Sequence, residues 1–571
     1  MTEHPSCGHP LRKIHRQIEG TIDPMGVAAP LVHAQLAWLA HPQELAEQLT
    51  SMSATFAQLQ WHTFLRSMGV DSVEPVAPKD EDNRFADPIW ENSPSWDIMK
   101  QWYLTITHQV QDMLYCTPGM GSKERRRAAF WWRKWLNAMA PTNFLFTNPV
   151  AMRRAIESNG ETLVAGFKNF MDDLASGDIR MTSPEDFLVG KNLATTEGAV
   201  VFRNELVEII HYKPLTDTVH RLPVVIVTPW INKFYVLDLT PKRSMVKYLL
   251  EQGFSVFITS WKNPGAEMRE TRFDDYLTQG IGKLIETAQG ITGESRVHAI
   301  GYCIGGTALS MYMAWANAKY GAEHVPVAHW TLFTSLVDFH KPGDIEVFID
   351  EASVSYLERV MEAKGYLDGK EMAGAFRLLR SNSLIWNYVV AGYLCGDTPP
   401  PFDVLYWNMD TTRMPARMHS WYLRELYLHN RLIQKNALTV AGESLDLERI
   451  TQPLYGVGAV DDHIAPWDQC FLINHHVKSP KRFVLSSSGH ILGIINPPVT
   501  PPKRTFWVAD AHRADTAADW RARAVEQPGS WWEDWMAWLG PKCGERIAPP
   551  PLDNAQFQRL ADAPGTYVLE R

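Results

Sequence analysis

One short stretch, a glycine-rich turn with a cysteine at its apex, constrains the fold of this chain more than any other. Residues 300–307 read Ile-Gly-Tyr-Cys-Ile-Gly-Gly-Thr, after an apolar strand-like run and before a helical pattern over 308–314. Gly301 and Gly305 lack the side chains that would collide across such a tight bend. The stretch therefore predicts a strand, a sharp turn and a helix, with Cys303 as a nucleophile at the turn.

The predicted helix would also activate this cysteine. Its N-terminus favours the thiolate of Cys303 through free N–H groups and the positive end of the helix dipole. The backbone N–H of Ile304 is then placed to bind an oxyanion. The pentapeptide alone is equally compatible with a buried, unreactive cysteine beside a packing glycine.

Length and composition limit the class of protein. A chain of 571 residues is too long for one ordinary core, which predicts two domains or one large domain with an insertion. The hydrophobic share of 45% supports a globular fold, and the net charge of -9 argues against a nucleic acid as the main partner. The first residues show no basic region followed by an apolar one, and no apolar run reaches the ~18 residues that span a bilayer. We therefore expect a cytoplasmic protein without a secretory signal or a transmembrane segment.

Residues 1–185 predict a mostly helical N-terminal domain. Apolar residues recur at spacings of four and three over 45–59, and similar helical patterns cover 98–114 and 128–139. The segment 123–135 is both basic and aromatic, as surface-binding helices are. A helix whose aromatic face packs on the neighbouring domain is the preferred interpretation.

Residues 186–571 predict an α/β catalytic domain. Short runs of strand-forming residues alternate with helical patterns over 245–252 and 273–291, which predicts a right-handed, doubly wound sheet. Near-continuous apolar strands of this kind are typical of parallel strands buried on both faces. The runs are 224–227, 255–259, 297–300 and 330–333.

The alternation stops after Ser335. Residues 338–438 are rich in helix formers and aromatic residues, and strand-like sequence resumes at 454–457. An insertion at this place would lie over the carboxyl ends of the strands and act as a cap. The proline-rich segment 548–551 predicts an extended C-terminal tail.

Two further residues complete a catalytic constellation. Asp462 lies in the turn after the strand-like run 454–458, and His490 lies in the loop after 482–485, which is expected to be the final strand. The order nucleophile, acid, histidine is that of the α/β-hydrolases. His490 would remove the thiol proton and later a proton from an incoming hydroxyl, while Asp462 fixes the tautomer of the imidazole.

Other residues compete for these roles. Asp461 is the alternative acid, and its simpler interpretation is a turn residue exposed to water. His463 is adjacent to the acid and is expected to shape the loop. His475 and His476 lie in a helical stretch away from any strand end. They lack a third ligand at a recognised spacing, so no metal site is expected.

The cysteines give no sign of a metal or disulfide site either. They are scattered without Cys-x-x-Cys spacing, which favours reduced thiols. The six are Cys7, Cys116, Cys303, Cys395, Cys470 and Cys543.

The second oxyanion donor is expected in the loop 228–233, after the first strand of the catalytic domain. The backbone N–H of Trp230 is the predicted donor. The alternative is that Pro229 and Trp230 form only a packed turn.

At these residues the chain resembles the polyhydroxyalkanoate synthases, most closely the class I type. The likeness extends over residues 190–571, whereas the N-terminal part matches only in length and helical texture. Two local departures concern Trp230, where some members have a smaller residue, and Ser381, which follows Arg380 where proline is expected. The similar stretches are 229–239, 301–307, 386–390, 401–408, 462–467, 488–498 and 529–532.

The resemblance implies an enzyme that polymerises (R)-3-hydroxyacyl-CoA, with short-chain 3-hydroxybutyryl-CoA as the expected substrate. It implies Cys303, Asp462 and His490 as the catalytic residues of a capped α/β-hydrolase fold. It also implies a homodimer that associates with polyester granules and needs no cofactor beyond the coenzyme A thioester itself. Arg380 and His463 are the candidate substrate-binding residues.

A cysteine suits this reaction. A thiolate that attacks a thioester exchanges one activated ester for another, so the acyl group stays reactive toward an alcohol, whereas serine would give a less activated oxoester. An aromatic cap offers a way to exclude water, the competing nucleophile. Two alternatives stay open: a cysteine-type α/β-hydrolase that acts on thioesters or esters, and a catalytically silent scaffold that coats granules.

Overall fold

The computed structural model describes residues 26–79 and 82–571. They divide into two units. The first contains the described residues up to Ser183 together with Gly374–Pro401, and the second contains Pro184–Ala373 and Phe402–Arg571. The signal-peptide prediction, the predicted helical structure before residue 26 and the thiol of Cys7 lie outside the described residues.

The first unit is helical, as the sequence predicts. Three of its helices begin at a proline, Pro42, Pro94 or Pro149, where the missing N–H costs little because no intrahelical acceptor faces it. The helices predicted over 45–59, 98–114 and 128–139 are confirmed, although the first lies within a longer helix that ends at Ser67 and the third begins earlier, at Ser122. The longer helices are α1 (Ala28–Ala40), α2 (Pro42–Ser67), α3 (Pro94–Tyr115), α4 (Ser122–Ala138), α5 (Pro149–Glu157) and α6 (Glu161–Ser176).

The segment Gly374–Pro401 packs on α6 within this first unit. The Tyr393 hydroxyl donates a hydrogen bond to Asp173 Oδ2 at 2.8 Å. Gly166 lies so close to the backbone of Tyr393 that a Cβ at this position would collide with it. Two wide, π-helical turns, Asn382–Trp386 and Val390–Leu394, form much of the segment.

The second unit is built on an 11-stranded mixed sheet. The strands are β1 (Gly198–Arg203), β2 (Val207–Tyr212), β3 (Val224–Val227), β4 (Val256–Trp261), β5 (Val297–Tyr302), β6 (Val327–Phe333), β7 (Leu454–Ala459), β8 (Lys481–Ser486), β9 (Thr505–Ala511), β10 (Val525–Pro528) and β11 (Ala561–Asp562). The order across the sheet is β10-β9-β8-β7-β6-β5-β3-β4-β2-β1-β11. Strands β3 to β8 run parallel to one another, whereas antiparallel strands extend both edges.

The four strand-like runs of the sequence are strands β3 to β6, and they are parallel and almost completely buried, as predicted. Helices α7 (Met245–Glu251), α8 (Lys283–Thr292) and α9 (Ile304–Tyr320) connect them. The helix predicted over 273–291 is not regular, since a π-helical stretch, Tyr276–Gly282, precedes α8.

One prediction about the sheet is wrong. Strand β8 is not the final strand, because β9 and β10 follow it in antiparallel pairing. Buried and half-exposed residues largely alternate along β9, as in a sheet with one solvated face. The expectation of near-continuous apolar strands therefore missed it.

The predicted cap, 338–438, contains α10 (Glu351–Lys364), α11 (Asp403–Met409), α12 (Ala416–Trp421) and a helix, Gly369–Leu379, that crosses the division between the units. Its central part, Gly374–Pro401, belongs to the first unit, and its flanks belong to the second. The domain boundary at residue 185 and the limits of the cap stay predictions.

The C-terminal tail is docked on the sheet. Its short strand β11 pairs with β1. Beyond it, the buried Glu208 carboxylate accepts the backbone N–H groups of Thr566 and Tyr567, each at 3.0 Å. In the part of the chain that the structure describes, every helix is too short or too polar to cross a membrane.

Candidate active site

Cys303 lies between the end of β5 and the start of α9, at the predicted turn. Its backbone has φ 53° and ψ -125°, a conformation that costs a residue with a Cβ about 1–3 kcal/mol. The N–H of Cys303 donates to the carbonyl oxygen of Phe333 at 3.0 Å, which ties the turn to the end of β6. The cysteine is partly exposed, while Tyr302 and Ile304 on either side are buried.

The flanking glycines are required by close backbone approach. A Cβ on Gly305 would lie 2.5 Å from the carbonyl oxygen of Val227 and 2.7 Å from that of Thr228. A Cβ on Gly301 would lie 2.5 Å from the Cα of Gly306. The first turn of α9 therefore packs directly against the end of β3 and the beginning of the loop that follows it.

Helix α9 begins directly after Cys303. The N–H groups of Gly306 and Thr307 donate back to the Cys303 carbonyl at 2.9 and 3.1 Å. The first amides of a helix have no intrahelical acceptor, and the helix dipole places partial positive charge around them. The N–H of Ile304 is the first of these amides, and its role as an oxyanion donor stays a prediction.

Asp462 and His490 form a buried acid–base pair. The Nδ1 atom of His490 lies 2.6 Å from Asp462 Oδ2, and the Asp462 side chain is 0% exposed. The other carboxylate oxygen accepts the N–H groups of Ile464 and Ala465 at 2.9 and 2.8 Å. Asp461, the alternative acid, is exposed. The geometry therefore brings Asp462, rather than Asp461, to the histidine.

The same imidazole lies close enough to Cys303 for that side chain to affect its pKa. Because Nδ1 faces Asp462, the nitrogen that serves the thiol is Nε2. Burial of His490 disfavours the charged imidazolium, but the negative charges of Asp462 and Cys303 outweigh this effect and raise the pKa of His490 well above 6.5. The site therefore favours a proton on His490.

The fold explains why these three residues meet. Cys303, Asp462 and His490 follow the carboxyl ends of β5, β7 and β8 respectively. These strands are parallel members of one sheet, so their carboxyl ends lie on the same edge, where α/β proteins bind ligands. Residues distant in sequence thus converge on one point.

Trp230 lies in the loop after β3, as predicted. Its side chain is buried and packs against Tyr276 and Trp261, with ring centroids 4.4 and 5.4 Å apart. Its carbonyl oxygen accepts the Thr412 hydroxyl at 2.5 Å. The side chain therefore forms the packed turn of the alternative interpretation, while the role of the backbone N–H stays a prediction.

The other histidines lie away from the triad or beside it without a defined task. His475 Nδ1 lies 2.8 Å from the carbonyl oxygen of Arg513, and His476 Nε2 lies 3.6 Å from the Asp338 carboxylate. His463 is half-buried, and its carbonyl accepts a backbone N–H at 3.0 Å. Its substrate contact stays a prediction.

Arg380 belongs to the first unit, whereas the triad belongs to the second. Its predicted contact with coenzyme A stays a prediction. Among residues 26–79 and 82–571, no group of three or more His, Cys, Asp and Glu side chains could hold a metal ion.

Sequence reasoning missed three tyrosines close to the triad. The Tyr302 hydroxyl donates to the carbonyl oxygen of His490 at 3.1 Å, and its ring stacks on the imidazole. The rings of Tyr422 and Tyr427 pack with their centroids 5.3 Å apart, and burial together with the charge of Cys303 raises the pKa of both hydroxyls. These hydroxyls stay protonated and can donate hydrogen bonds near the thiol. Only Tyr302, next to Cys303 in sequence, could have been found from the motif.

A second thiol, Cys470, is buried near Asp462 and Cys303, and its surroundings favour the protonated form. Its S–H donates to the carbonyl oxygen of Ala465 at 3.3 Å. Burial, and then the negative charges of Asp462 and Cys303, raise the pKa of Cys470 well above 9. A thiol that stays protonated neither attacks a thioester nor holds an acyl chain.

Family models cover most of the chain. The model described as "Poly-beta-hydroxybutyrate polymerase (PhaC) N-terminus" matches residues 81–249. The model described as "alpha/beta hydrolase fold" matches residues 223–497, which include all three residues of the triad. The chain therefore has the α/β-hydrolase fold expected from its sequence.

Curated relatives extend over nearly the whole length. The poly(3-hydroxyalkanoate) polymerase subunit PhaC of Cupriavidus necator is 42% identical over 88% of this chain and 85% of the relative. The poly(3-hydroxyalkanoate) polymerase of Methylorubrum extorquens is 39% identical over 93% of this chain and 88% of the relative. The corresponding subunit of Rhizobium etli is 38% identical over 97% and 88%. On these grounds, this chain belongs to the poly(3-hydroxyalkanoate) polymerase family.

Proposed function

We propose that this protein is an acyltransferase that polymerises (R)-3-hydroxyacyl-CoA, with 3-hydroxybutyryl-CoA as the short-chain substrate, and releases coenzyme A. The growing chain is held as a thioester on Cys303. The observation that carries this proposal is the convergence of Cys303, His490 and Asp462 at one edge of the sheet, with His490 bound to Asp462 and under the electrostatic influence of Cys303. Its relatives are named as polymerases of 3-hydroxyalkanoates, which supports the substrate class.

The first step transfers the acyl group to the enzyme. Nε2 of His490 accepts the thiol proton, and the sulfur attacks the thioester carbonyl of the substrate. The N–H groups of Ile304 and Trp230 stabilise the oxyanion that forms. The bond between the carbonyl carbon and the sulfur of coenzyme A then breaks, and the leaving thiolate takes the proton from His490.

The second step lengthens the chain. His490 removes the proton from the 3-hydroxyl of the acceptor, and the oxygen attacks the acyl thioester on Cys303. A new ester bond forms, the carbon–sulfur bond breaks, and the imidazolium–thiolate pair returns. The raised pKa of His490 supports both steps, because it favours the proton on the imidazole whenever the sulfur is an anion.

Several further properties belong to the proposal. Arg380 and His463 are the proposed contacts to the coenzyme A thioester. A homodimer located in the cytoplasm on the surface of polyester granules would place the site beside its own apolar product. No resident cofactor is needed, because the thioester already carries the free energy of activation.

Product analysis tests this function. The purified protein is incubated with 3-hydroxybutyryl-CoA, and released coenzyme A, insoluble polyester and free 3-hydroxybutyrate are measured together. We expect nearly all of the acyl groups in the polyester, and no coenzyme A release by Cys303→Ala. Stoichiometric free acid would instead establish a cysteine-type hydrolase, and an inactive wild-type protein would favour a granule-coating scaffold.

A further inference from the structure

The segment 228–235, which consists of the loop after β3 and the start of the short helix Phe234–Leu237, is held by side chains from outside it. We call it the oxyanion loop, because it contains Trp230. Several of its backbone carbonyls accept hydrogen bonds from distant parts of the second unit, so few of its peptide planes are free to turn. The bonds are Trp261 Nε1 to Thr228 O (2.9 Å), Thr412 Oγ1 to Trp230 O (2.5 Å), Thr412 Oγ1 to Ile231 O (2.8 Å) and Trp407 Nε1 to Lys233 O (2.7 Å).

A buried ion pair lies at the end of the same loop. The Lys233 side chain is 4% exposed, and its ammonium lies 2.7 Å from Asp410 Oδ1. The ammonium also donates to the carbonyl oxygen of Glu570 in the C-terminal tail at 2.9 Å. The other oxygen of Asp410 accepts the Tyr235 hydroxyl at 2.9 Å. Asp410 therefore binds two residues of the loop, and the tail binds one of them again.

We propose that Lys233, Asp410 and Thr412 form a clamp whose task is to position the oxyanion loop for catalysis. This inference rests on the proposed function, because the loop matters to the rate only if an oxyanion forms beside it. These three are positioning residues, since they act through the loop. The oxyanion loop lies directly against the helix that begins with Ile304. Gly305, in the first turn of α9, abuts the carbonyl groups of Val227 and Thr228. A displaced loop would therefore change the gap between its amides and that of Ile304.

The competing explanation is that the Lys233–Asp410 ion pair only stabilises the fold. The two explanations predict different activities in variants that lack one or both partners. Removing one partner of a buried pair leaves an unpaired charge and destabilises the protein, whereas replacing both by apolar residues is often neutral for stability. Lys233→Met should therefore lose stability, and the double variant Lys233→Met/Asp410→Leu should regain it. If the pair only stabilises the fold, activity returns together with stability. If it positions the loop, activity stays low in the double variant.

The chemistry of thiol modification gives a second discriminating readout. Alkylation of Cys303 by iodoacetamide is a displacement at a saturated carbon, so it forms no oxyanion and needs only the thiolate. Acylation by a thioester needs both the thiolate and the oxyanion donors. A clamp variant should therefore lose acyl transfer while it keeps its alkylation rate, which a general disturbance of the Cys303–His490 pair would lower as well.

The experiment measures coenzyme A release, the alkylation rate of Cys303 and thermal unfolding on the full chain. Losing one oxyanion donor lowers kcat by about 10²–10³-fold, so a misplaced loop in Lys233→Met should lower kcat by about 10–100-fold, with KM changed less than about threefold. Thr412→Val, which removes only the bonds to Trp230 and Ile231, should lower kcat by about 5–10-fold. Lys213→Met is the matched control, because the Lys213–Glu197 pair has the same kind of contact at 2.8 Å on the surface.

Each outcome either supports the clamp or overturns it. Low kcat, unchanged alkylation and recovered stability in the double variant support the clamp. Recovery of kcat together with stability overturns it, and so does a parallel loss of alkylation. Should Lys233→Met fail to fold, the double variant and Thr412→Val carry the test. A wild-type protein that releases coenzyme A and converts the acyl group to free acid refutes polymerisation but leaves this comparison intact. A wild-type protein that releases no coenzyme A refutes both proposals.

Discussion

Replacing Asp462 by Asn tests the division of labour within the triad. One carboxylate oxygen of Asp462 accepts the N–H groups of Ile464 and Ala465 at 2.9 and 2.8 Å, so the amide oxygen of the variant will keep that position. The amide nitrogen must then face Nδ1 of His490. It donates to Nδ1, which forces the imidazole proton onto Nε2, the nitrogen that should accept the thiol proton.

The expected loss follows from this change of tautomer. In a serine protease triad the equivalent change lowers kcat about 10⁴-fold. A thiol is more acidic than a serine hydroxyl and needs less help from the base, so we expect a loss of about 10³–10⁴-fold in turnover here. The Asn variant should still form some acyl-enzyme, whereas His490→Gln should lose the acylation burst as well.

Rapid-quench measurement of coenzyme A release separates the burst from steady-state turnover. Asp461→Asn is the matched control, because Asp461 is the adjacent residue, carries the same charge and is exposed. Its rates should equal those of the wild type. Turnover of Asp462→Asn within about tenfold of the wild type, or an equal loss of the burst in Asp462→Asn and His490→Gln, would refute this reasoning.

Three further predictions concern the backbone and the interior. Cys303→Gly should abolish activity yet raise the free energy of unfolding in urea by about 1 kcal/mol. Glycine removes about 1–3 kcal/mol of backbone strain at a cost of about 0.5–1 kcal/mol in chain entropy. A destabilised variant would contradict the claim that the backbone is strained at Cys303. Gly305→Ala should lower the free energy of unfolding by about 3 kcal/mol or more, since its Cβ meets two carbonyl groups. Gly374→Ala, whose Cβ has nothing within 4 Å, should be neutral or stabilising. Equal effects of the two substitutions would contradict the close packing at Gly305. Burial lowers the pKa of four histidines, to about 4 for three of them. In the folded protein these histidines are therefore neutral at a pH at which the unfolded chain, with a pKa of 6.5, is already protonated. Stability should therefore be full above pH 6.5 and fall by about 1.4 kcal/mol per pH unit for each histidine as the pH drops toward 4; a flat profile would contradict their neutrality. These histidines are His211, His298, His329 and His419.

The parts of the fold that were predictable from sequence depend on local signals. The turn at Cys303 combines an apolar strand, two glycines and a helical pattern within a few residues. Asp462 and His490 follow strands whose apolar runs are just as local, and parallel strands bring such loop residues to one edge of the sheet. Chain order therefore sufficed to bring the three together.

What escaped prediction depends on partners that are distant in sequence. Strand β9 carries a half-exposed alternation that resembles a loop, and only its pairing with β8 reveals it. The π-helical stretch Tyr276–Gly282 contains Gly280 and Gly282, but glycine does not distinguish a π-helix from any other interruption of a helix. The Lys233–Asp410 pair consists of two ordinary charged residues, and nothing but the folded structure shows that Lys233 is buried and that Asp410 is only 16% exposed.

The central claim is that Cys303 carries the acyl chain, and trapping the intermediate tests it most directly. The protein is mixed with 3-hydroxybutyryl-CoA at one equivalent per site, quenched in acid, digested and analysed by mass spectrometry. We predict a 3-hydroxybutyryl thioester on the peptide that contains Cys303, which lengthens to oligomers when more substrate is added before the quench. Release of coenzyme A without any acyl group on Cys303, or with the acyl group on Cys470, would contradict the account.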